Sequence, residues 1–586
     1  MLRCLTVDLG HHSWGVLDIE WSLDEGPLHL GLLRSHIRQG RRDVSVIGRG
    51  PLAGRPVVGA AVAQIAGVSP VAGAVAEAKV EGPLAHALLA LGLDAIMMHS
   101  VSSAPMTIRV SAREQLKVEF LDCAEWSDET VFSFDARLRR SEDEVISVTG
   151  PWGMSGHPAA SVVTNCGFPT SQGGLGAVWG GLGVKAIVLT PSDGLSGPSS
   201  LERDITEKYA ASIDANPLTK SEHDYPGFGL WLSEDAVGYA GSDGFRGRPV
   251  SGLMDFDATK FSPFAVDSGT SACPGCPQSC LKSYLVDPSD PVDGGRVHQL
   301  GIAAMAAQSD TTDPEELLRF NALCHDWGVE HLAAEESLRA SSSTSGLLET
   351  RLETALQAHP LGSGLEERVK GMVIPPFEPR TNQGLAVGYA LNPSGPRYDV
   401  LEHDIDFDPE GVGPERSEVG REWGVPEGGL PIGTLGDNRH LSILSLWTLW
   451  SGLDALGVCE FAAPPTRELS VADITQLAGH HHGATVTHED LHRWGRVRLA
   501  LMRDTNAHLG IDSSADRLPE RFFSEPLPAG KWQGSAISRG EFESAAAFVR
   551  EGLSWNEAGI DPSSDVSRAI ERGDNILDRQ REGAQR

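Results

Sequence analysis

The alternation of apolar and polar positions divides the chain into two unlike halves. Across residues 1–190 the apolar runs are short and bounded by Gly, Pro, Asn or Asp, the pattern of strands and turns. Residues 5–9 and 16–21 read as the arms of a hairpin that turns at residues 11–14. Residues 95–99, 107–110, 118–121, 145–149 and 185–189 read as further strands, and 85–93 as a short helix. Gly150-Pro151 marks a turn, and residues 177–183 read as a Gly-rich loop. Later, helical spacing takes over. Leu317, Leu318, Asn321, Ala322 and Cys324 recur at near-helical spacing over 314–327, with Thr312 or Asp313 placed to cap the N-terminus. Residues 441–456 are apolar enough for a buried helix, and 489–509 are amphipathic. The tail from residue 561 is polar and is expected to be peripheral.

Size and charge narrow the partners. A chain of 586 residues suggests two or three domains, with a break near the Ser/Gly/Pro stretch 191–200. The net charge of −32 argues against nucleic acid, whose phosphates require a basic surface. No apolar run reaches the roughly 18–20 residues of a spanning helix, and the first ten residues lack a basic segment followed by an apolar one. The expectation is a cytoplasmic chain without membrane contact.

The eight cysteines are too few for a disulfide scaffold, and three of them cluster. Cys273, Cys276 and Cys280 form C-x2-C-x3-C in a Pro/Gly-rich loop. Three thiolates on one tight loop can occupy three corners of a cubane iron–sulfur cluster, with a fourth from elsewhere. Cys459, in Gly457-Val458-Cys459-Glu460 after a helix, is the remote candidate. A structural zinc site usually shows two local ligand pairs, and the second pair is missing here. Radical enzymes that use S-adenosylmethionine show the reverse order of spacing. A redox C-x-x-C pair would leave Cys280 without a role.

With these motifs the chain resembles the aldehyde ferredoxin oxidoreductases. C-x2-C-x3-C followed far downstream by Asp454-Ala455-Leu456-Gly457-Val458-Cys459 is similar to the family's D-x-x-G-[LV]-C pattern. Shorter matches follow in the same order along nearly the whole chain: Gly50-Pro51-Leu52-Ala53-Gly54, Gly173-Gly174-Leu175-Gly176, Gly388-Tyr389-Ala390-Leu391-Asn392 and Leu518-Pro519-Glu520-Arg521-Phe522. The resemblance implies an α+β fold, with an N-terminal β-rich platform of two sheets over 1–200. Two mainly α-helical domains would follow, over 201–400 with the cysteine loop and over 401–586 with the fourth cysteine. It also implies a [4Fe–4S] cluster on Cys273, Cys276, Cys280 and Cys459, beside a tungsten or molybdenum bis-pterin with Mg²⁺ between its phosphates. Asp454 and Val458 would hold one pterin. The earlier echo, His325-Asp326-Trp327-Gly328-Val329-Glu330, would hold the other through Asp326 and Glu330. Gly173, Gly174 and Gly176 would turn backbone N–H groups toward anionic oxygens, although a tight turn alone would also account for them.

The sequence departs from the family at polar positions. A usual glutamate falls on Leu300, a usual histidine on Tyr398, and two arginines near the pterin phosphates fall on Val62 and Gln172. Oxidation of an aldehyde needs a group that manages a proton. The candidates are Tyr398, His298, Glu402 and His403, with Asp399 and Asp404 nearby. His480, His481 and His482 are adjacent on a helix and face different ways, which disfavours a shared metal. The expected activity is two-electron oxidation of a small aldehyde or related substrate, with electrons passed through the cluster to ferredoxin or a cluster-bearing subunit. A homodimer is the assembly left open. The alternative is a cluster-containing electron-transfer or scaffold paralog with altered or lost pterin catalysis.

Overall fold

The computed structural model describes residues 1–112, 115–191, 197–224, 241–247, 258–266, 272–287, 295–297, 299–308, 311–341, 346–358, 368–409, 421–436 and 439–584. Twelve strands build the N-terminal region as two six-stranded sheets. The first contains β1 (Leu2–Asp8), β2 (Ser13–Ile19), β3 (Val44–Arg49), β4 (Val62–Val68), β5 (Val75–Glu81) and β6 (Ala95–His99), in the order β2-β1-β6-β3-β4-β5. The second contains β7 (Met106–Ser111), β8 (Lys117–Asp122), β9 (Val145–Thr149), β10 (Val162–Thr164), β11 (Phe168–Pro169) and β12 (Val184–Thr190), in the order β11-β10-β9-β12-β7-β8. Among the described residues, parallel pairing in these sheets is confined to β1 with β6 in the first and β7 with β12 in the second.

Side-chain alternation explains how the sheets stack. Ala76, Ala78 and Val80 of β5, with Ala63 and Ile65 of β4, join Ile108, Val110, Ile187 and Leu189 in one buried core between the sheets. Each sheet therefore has a second face to cover. Helix Val131–Leu138 covers the second sheet through Val131 and Phe134. The first sheet turns Val44, Val46, Ala66 and Met97 toward the helical region, in the same core as Leu446, Leu453 and Leu499. On β5 that face carries Val75 and then Glu77, Lys79 and Glu81, and this run of charges builds the site described below.

Helices dominate the remainder. Arg439–Leu456 packs along His488–Leu509, and two glycines set the closeness of the pair. A Cβ at Gly452 would stand 2.1 Å from the Leu491 carbonyl oxygen, and one at Gly495 1.9 Å from that of Thr448. Helix Pro314–Trp327 has Asp313 as its cap, the Oδ1 accepting from Glu315 N–H at 3.1 Å.

Most sequence-predicted elements appear within a few residues of their expected bounds, and two readings are corrected. Residues 177–183 are not a loop: helix Leu175–Leu182 runs through most of them. Its glycines permit backbone contact, since a Cβ at Gly176 would lie 2.5 Å from the Ser161 oxygen and one at Gly180 1.9 Å from that of Gly153. The polar tail is not merely peripheral. Helix Asp565–Ala584 buries Val566, Ala569, Ile570 and Leu577, and its Asp574 pairs with Arg34 and Arg38. No described helix is long and apolar enough to cross a membrane.

Replacing Gly495 by Val puts two branches against the Thr448 carbonyl. It is expected to cost about 1–3 kcal/mol of stability, the usual range for overpacking. Denaturant melts at matched metal content check this.

Candidate functional site

The cysteine loop and Cys459 meet at one cavity. Its wall includes Cys273, Cys276, Cys280 and Cys459, and about 810 Å³ of empty space lies within it, open mouth included. Cys276 is buried, and the other three are partly exposed on the cavity they line. Three constraints bring Cys459 there. Helix Arg439–Leu456 stops at Gly457, where φ is +79°, a conformation that glycine adopts without strain. The loop after β3 then docks on this turn, Leu52 N–H donating to the Leu456 oxygen at 3.0 Å. A Cβ at Gly50 would stand 2.1 Å from the Leu456 carbonyl carbon, so glycine is required there. Finally, Cys459 N–H donates to the Gly59 oxygen at 2.8 Å.

The cysteine loop is held from below by Gln278. Its Oε1 accepts from Tyr209 Oη at 3.1 Å, its Nε2 donates to the Thr219 oxygen at 2.9 Å, and its own backbone oxygen pairs with His223 Nδ1 at 3.0 Å. Burial pushes all four thiols upward, and for Cys273, Cys280 and Cys459 the neighbouring thiols add to the rise. Backbone N–H groups of Gly59, Gln278 and Ser279 work against the rise of the Cys276 thiol, and that of Gly82 against the rise of Cys273. Among the described residues no three His, Cys, Asp or Glu side chains are grouped to hold a single metal ion. Four sulfurs around a cavity suit a polynuclear cluster, whose corners lie apart.

The rest of the cavity wall is mostly apolar, from Ala61, Val62, Leu281, Val297, Phe461 and Ala462. Two carboxylates interrupt it. Glu81, at the end of β5, is raised by burial, and Glu222 accepts from Arg467, Nε to Oε2 at 3.1 Å. Tyr398 also lines the cavity and stacks on Phe377, with ring centroids 6.2 Å apart. His403 and Glu402 do not line it. His403 Nε2 pairs with the Tyr398 backbone oxygen at 2.8 Å, and its ring meets Phe377 edge-on at 4.1 Å. Burial holds its imidazole below the ordinary value. Glu402 accepts from Thr466 Oγ1 at 2.6 Å, and burial, then Asp406, raise its carboxyl well above the usual range. His298 lies outside the described residues.

A second group of charged residues is buried where β5 faces the helices. The Lys79 ammonium contacts Asp454 Oδ1 at 2.7 Å, Asp399 Oδ2 at 3.0 Å and Glu460 Oε2 at 3.1 Å. The other Asp454 oxygen pairs with Arg498 at 3.2 Å, and Arg498 also pairs with Glu77. Arg397 clamps Asp399 through Nε at 2.9 Å and Nη2 at 2.5 Å, and donates to the Glu77 backbone oxygen. His29 Nε2 pairs with Glu77 at 2.8 Å. Burial alone would raise Glu77, but Arg498, His29 and Arg397 outweigh it and hold the carboxyl at about 2. Burial would lower Lys79, yet its three carboxylates hold it well above its ordinary value. Glu460 is pushed up to about 7, burial outweighing Lys79.

The positions that the resemblance assigns to pterins have protein partners, in one case each other. Asp326 Oδ1 accepts from Phe132 N–H at 2.9 Å, at the start of helix Val131–Leu138. Glu330 accepts from Gly174 N–H at 2.6 Å, and burial raises its carboxyl to about 8. Gly176 N–H donates to the Ala160 oxygen at 2.9 Å, and Val458 N–H to that of Leu453 at 2.9 Å. A Cβ on Gly173 would come within 2.9 Å of Ala76 Cβ. Gln172 Nε2 donates to the Val373 oxygen at 2.9 Å. His481 pairs with Glu202 at 3.1 Å.

Sequence reading missed Lys79, Glu81, Glu222 and Gln278. The available signal was Glu77-Ala78-Lys79-Val80-Glu81, charges at every second position of a strand whose other face is wholly apolar.

Two family models match: "Aldehyde ferredoxin oxidoreductase, N-terminal domain" over residues 28–191, and "Aldehyde ferredoxin oxidoreductase, domains 2 & 3" over residues 354–568. The chain belongs to the aldehyde ferredoxin oxidoreductase family. It is an oxidoreductase by family. It is similar to the tungsten-containing aldehyde ferredoxin oxidoreductase of Pyrococcus furiosus, 21% identical over 579 residues and 88% of each chain. It is 20% identical to that of Thermococcus kodakarensis over 582 residues, again 88% of each. Among solved structures, the active site complex BamBC of benzoyl coenzyme A reductase shares the fold, with a TM-score of 0.77, 15% identity and 98% of each chain covered. This divergent family member thus retains the overall architecture at low identity.

The ion-pair network gives a pH-dependent expectation. Because Glu77 is held at about 2 against an ordinary 4.5, its contribution is present above about pH 4.5 and disappears as the pH falls through 2. Glu77→Gln leaves Arg498 with Asp454 alone and His29 without its carboxylate, and is expected to cost about 3–5 kcal/mol near pH 7. The gap from wild type should narrow as melts are taken from pH 4.5 toward 2.

Proposed function

We propose that the chain is an oxidoreductase that passes single electrons through one [4Fe–4S] cluster held by Cys273, Cys276, Cys280 and Cys459. The observation that carries this reading is that these four thiols, from two segments far apart in sequence, line one cavity. The donor set fits the group: four sulfurs, backbone N–H groups that favour the anionic form of two of them, and an apolar wall that limits water. When bound, the cluster supplies a one-electron redox site. The chain's own contributions are positional and electrostatic. N–H groups on Cys276 and Cys273 favour the sulfurs as anions, whereas the Glu81 and Glu222 carboxylates add negative potential at the wall. The chemistry calls for an electron partner, either ferredoxin or a cluster-bearing subunit, and a small-molecule substrate.

The groups at the supposed pterin positions do not fit a tungsten or molybdenum bis-pterin with its Mg²⁺. Both Asp454 oxygens are ion-paired, the Gly174 and Gly176 N–H groups donate within the protein, and Asp326 caps a helix. The expected arginines are Val62, on the cavity wall, and Gln172, bonded to a backbone oxygen. Lys79, Arg397 and Arg498 face Glu77, Asp399 and Asp454, with Glu460 as a fourth carboxyl, so phosphates would find no surplus positive charge.

A second reading is supported by the coverage of the relatives: oxidation of an aldehyde at tungsten, with electrons passed to ferredoxin. It requires Asp454 to exchange Lys79 for a cofactor. Tyr398 is then the cavity-lining group able to donate a proton or a hydrogen bond.

The cluster reading predicts about four iron per chain in anaerobically purified protein. Cys459→Ser should lower the iron content and alter the electron paramagnetic resonance signal of the reduced protein. Zinc in place of iron, in preparations never exposed to air, would contradict it.

A further inference from the structure

The charged group at Lys79 is not needed to ligate iron. It occupies the junction of β5 with the helix that leads to Cys459, and its charges pair with one another. Lys79 has three carboxylate partners within 3.1 Å, and it donates a hydrogen bond to Glu460 Oε2 at 3.1 Å. Its charge is thus already shared among three carboxylates. On the other side, Asp454 Oδ1 meets Lys79 and Oδ2 meets Arg498, so both of its oxygens are engaged. The side chains are buried, Lys79 to 4% exposure and Asp454 to 9%. The backbone is fixed as well: the Asp454 carbonyl accepts from Gln64 Nε2 at 2.8 Å, and Gln64 lies opposite Lys79 on β4.

We propose that Lys79 is a built-in counter-ion that closes the Asp454 site, so that this chain needs no tungsten or molybdenum pterin at that carboxylate. The argument is one of charge. A lone buried carboxylate is strongly unfavourable, and it must find a cation or a cofactor that bonds it. Here the cation is covalently part of the strand. Inserting a phosphate-bearing cofactor would require separating Lys79 from Asp454 in a region of low dielectric, with Asp399 and Glu460 then left to compete for the ammonium. Arg498 cannot take over alone, because it is shared with Glu77 and with Ser451 Oγ at 3.0 Å. The proposal agrees with the departures at Val62 and Gln172, neither of which carries a positive charge.

The test is metal and pterin analysis of the full chain, purified anaerobically from a host that loads a tungsten-containing relative in parallel. Wild type and Asp454→Asn are compared. The expected result is wild-type protein with neither tungsten nor molybdenum, and no fluorescent pterin derivative after acid oxidation. Asp454→Asn is then expected to hold neither tungsten nor molybdenum either. Stoichiometric tungsten or molybdenum with pterin in the wild-type chain overturns the proposal, and no variant is needed to see it. Iron is read in the same samples. Its absence would contradict the cluster reading alone, while the pterin result would still decide the state of the Asp454 site.

Discussion

The structure depends on one buried ammonium. Lys79 on β5 reaches Asp399, Asp454 and Glu460 together; Asp454 lies in helix Arg439–Leu456, Glu460 just after it, and Asp399 in a separate earlier segment. Each ion pair is a contact between platform and helices. Breaking one partner of such a buried group costs several kcal/mol, because the remaining charges cannot reach water. Asp454 and Glu460 flank Cys459 in sequence, so the same ion pairs that join the two regions also fix the fourth sulfur.

The close glycine contacts serve the same end. Gly50 and Gly457 let the loop after β3 meet the end of helix Arg439–Leu456, and Gly452 and Gly495 let that helix lie against its neighbour. Without those approaches the helix end would stand off, and Cys459 would not reach the loop that carries Cys273, Cys276 and Cys280. The functional reading therefore grows out of packing: an apolar sheet face, a charged strand edge and a helix stop place four thiols on one cavity.

Much of this was legible in the sequence where a pattern was local. The hairpin of β1 and β2, the strands β6, β7, β8, β9 and β12, and the helices Pro314–Trp327, Arg439–Leu456 and His488–Leu509 follow from period and punctuation. The cysteine set was readable from spacing together with the resemblance. Other elements were hidden by polar residues at buried positions. Helix Leu28–Arg38 buries Arg34 and His36, which blurs its apolar stripe, and Arg34 is tolerated because Asp504 and Asp574 meet it. Helix Leu175–Leu182 was masked by glycines that lower helix propensity but permit backbone contact with Ser161 and Gly153. Lys79 was invisible for a different reason. Its role depends on carboxylates more than 300 positions later, and no local pattern announces such a meeting.

The family supplies the architecture, and the residues of this chain decide which redox group it can hold. Cysteines suit an iron–sulfur cluster, and the groups around Asp454 are paired among themselves. The most direct measurement is Mössbauer spectroscopy of the anaerobic full chain grown with Mössbauer-active iron. The account predicts the spectrum of one four-iron cubane with delocalised valence, lost in the Cys276→Ser, Cys459→Ser double variant. A spectrum of isolated tetrahedral iron, or no protein-bound iron at all, would contradict it.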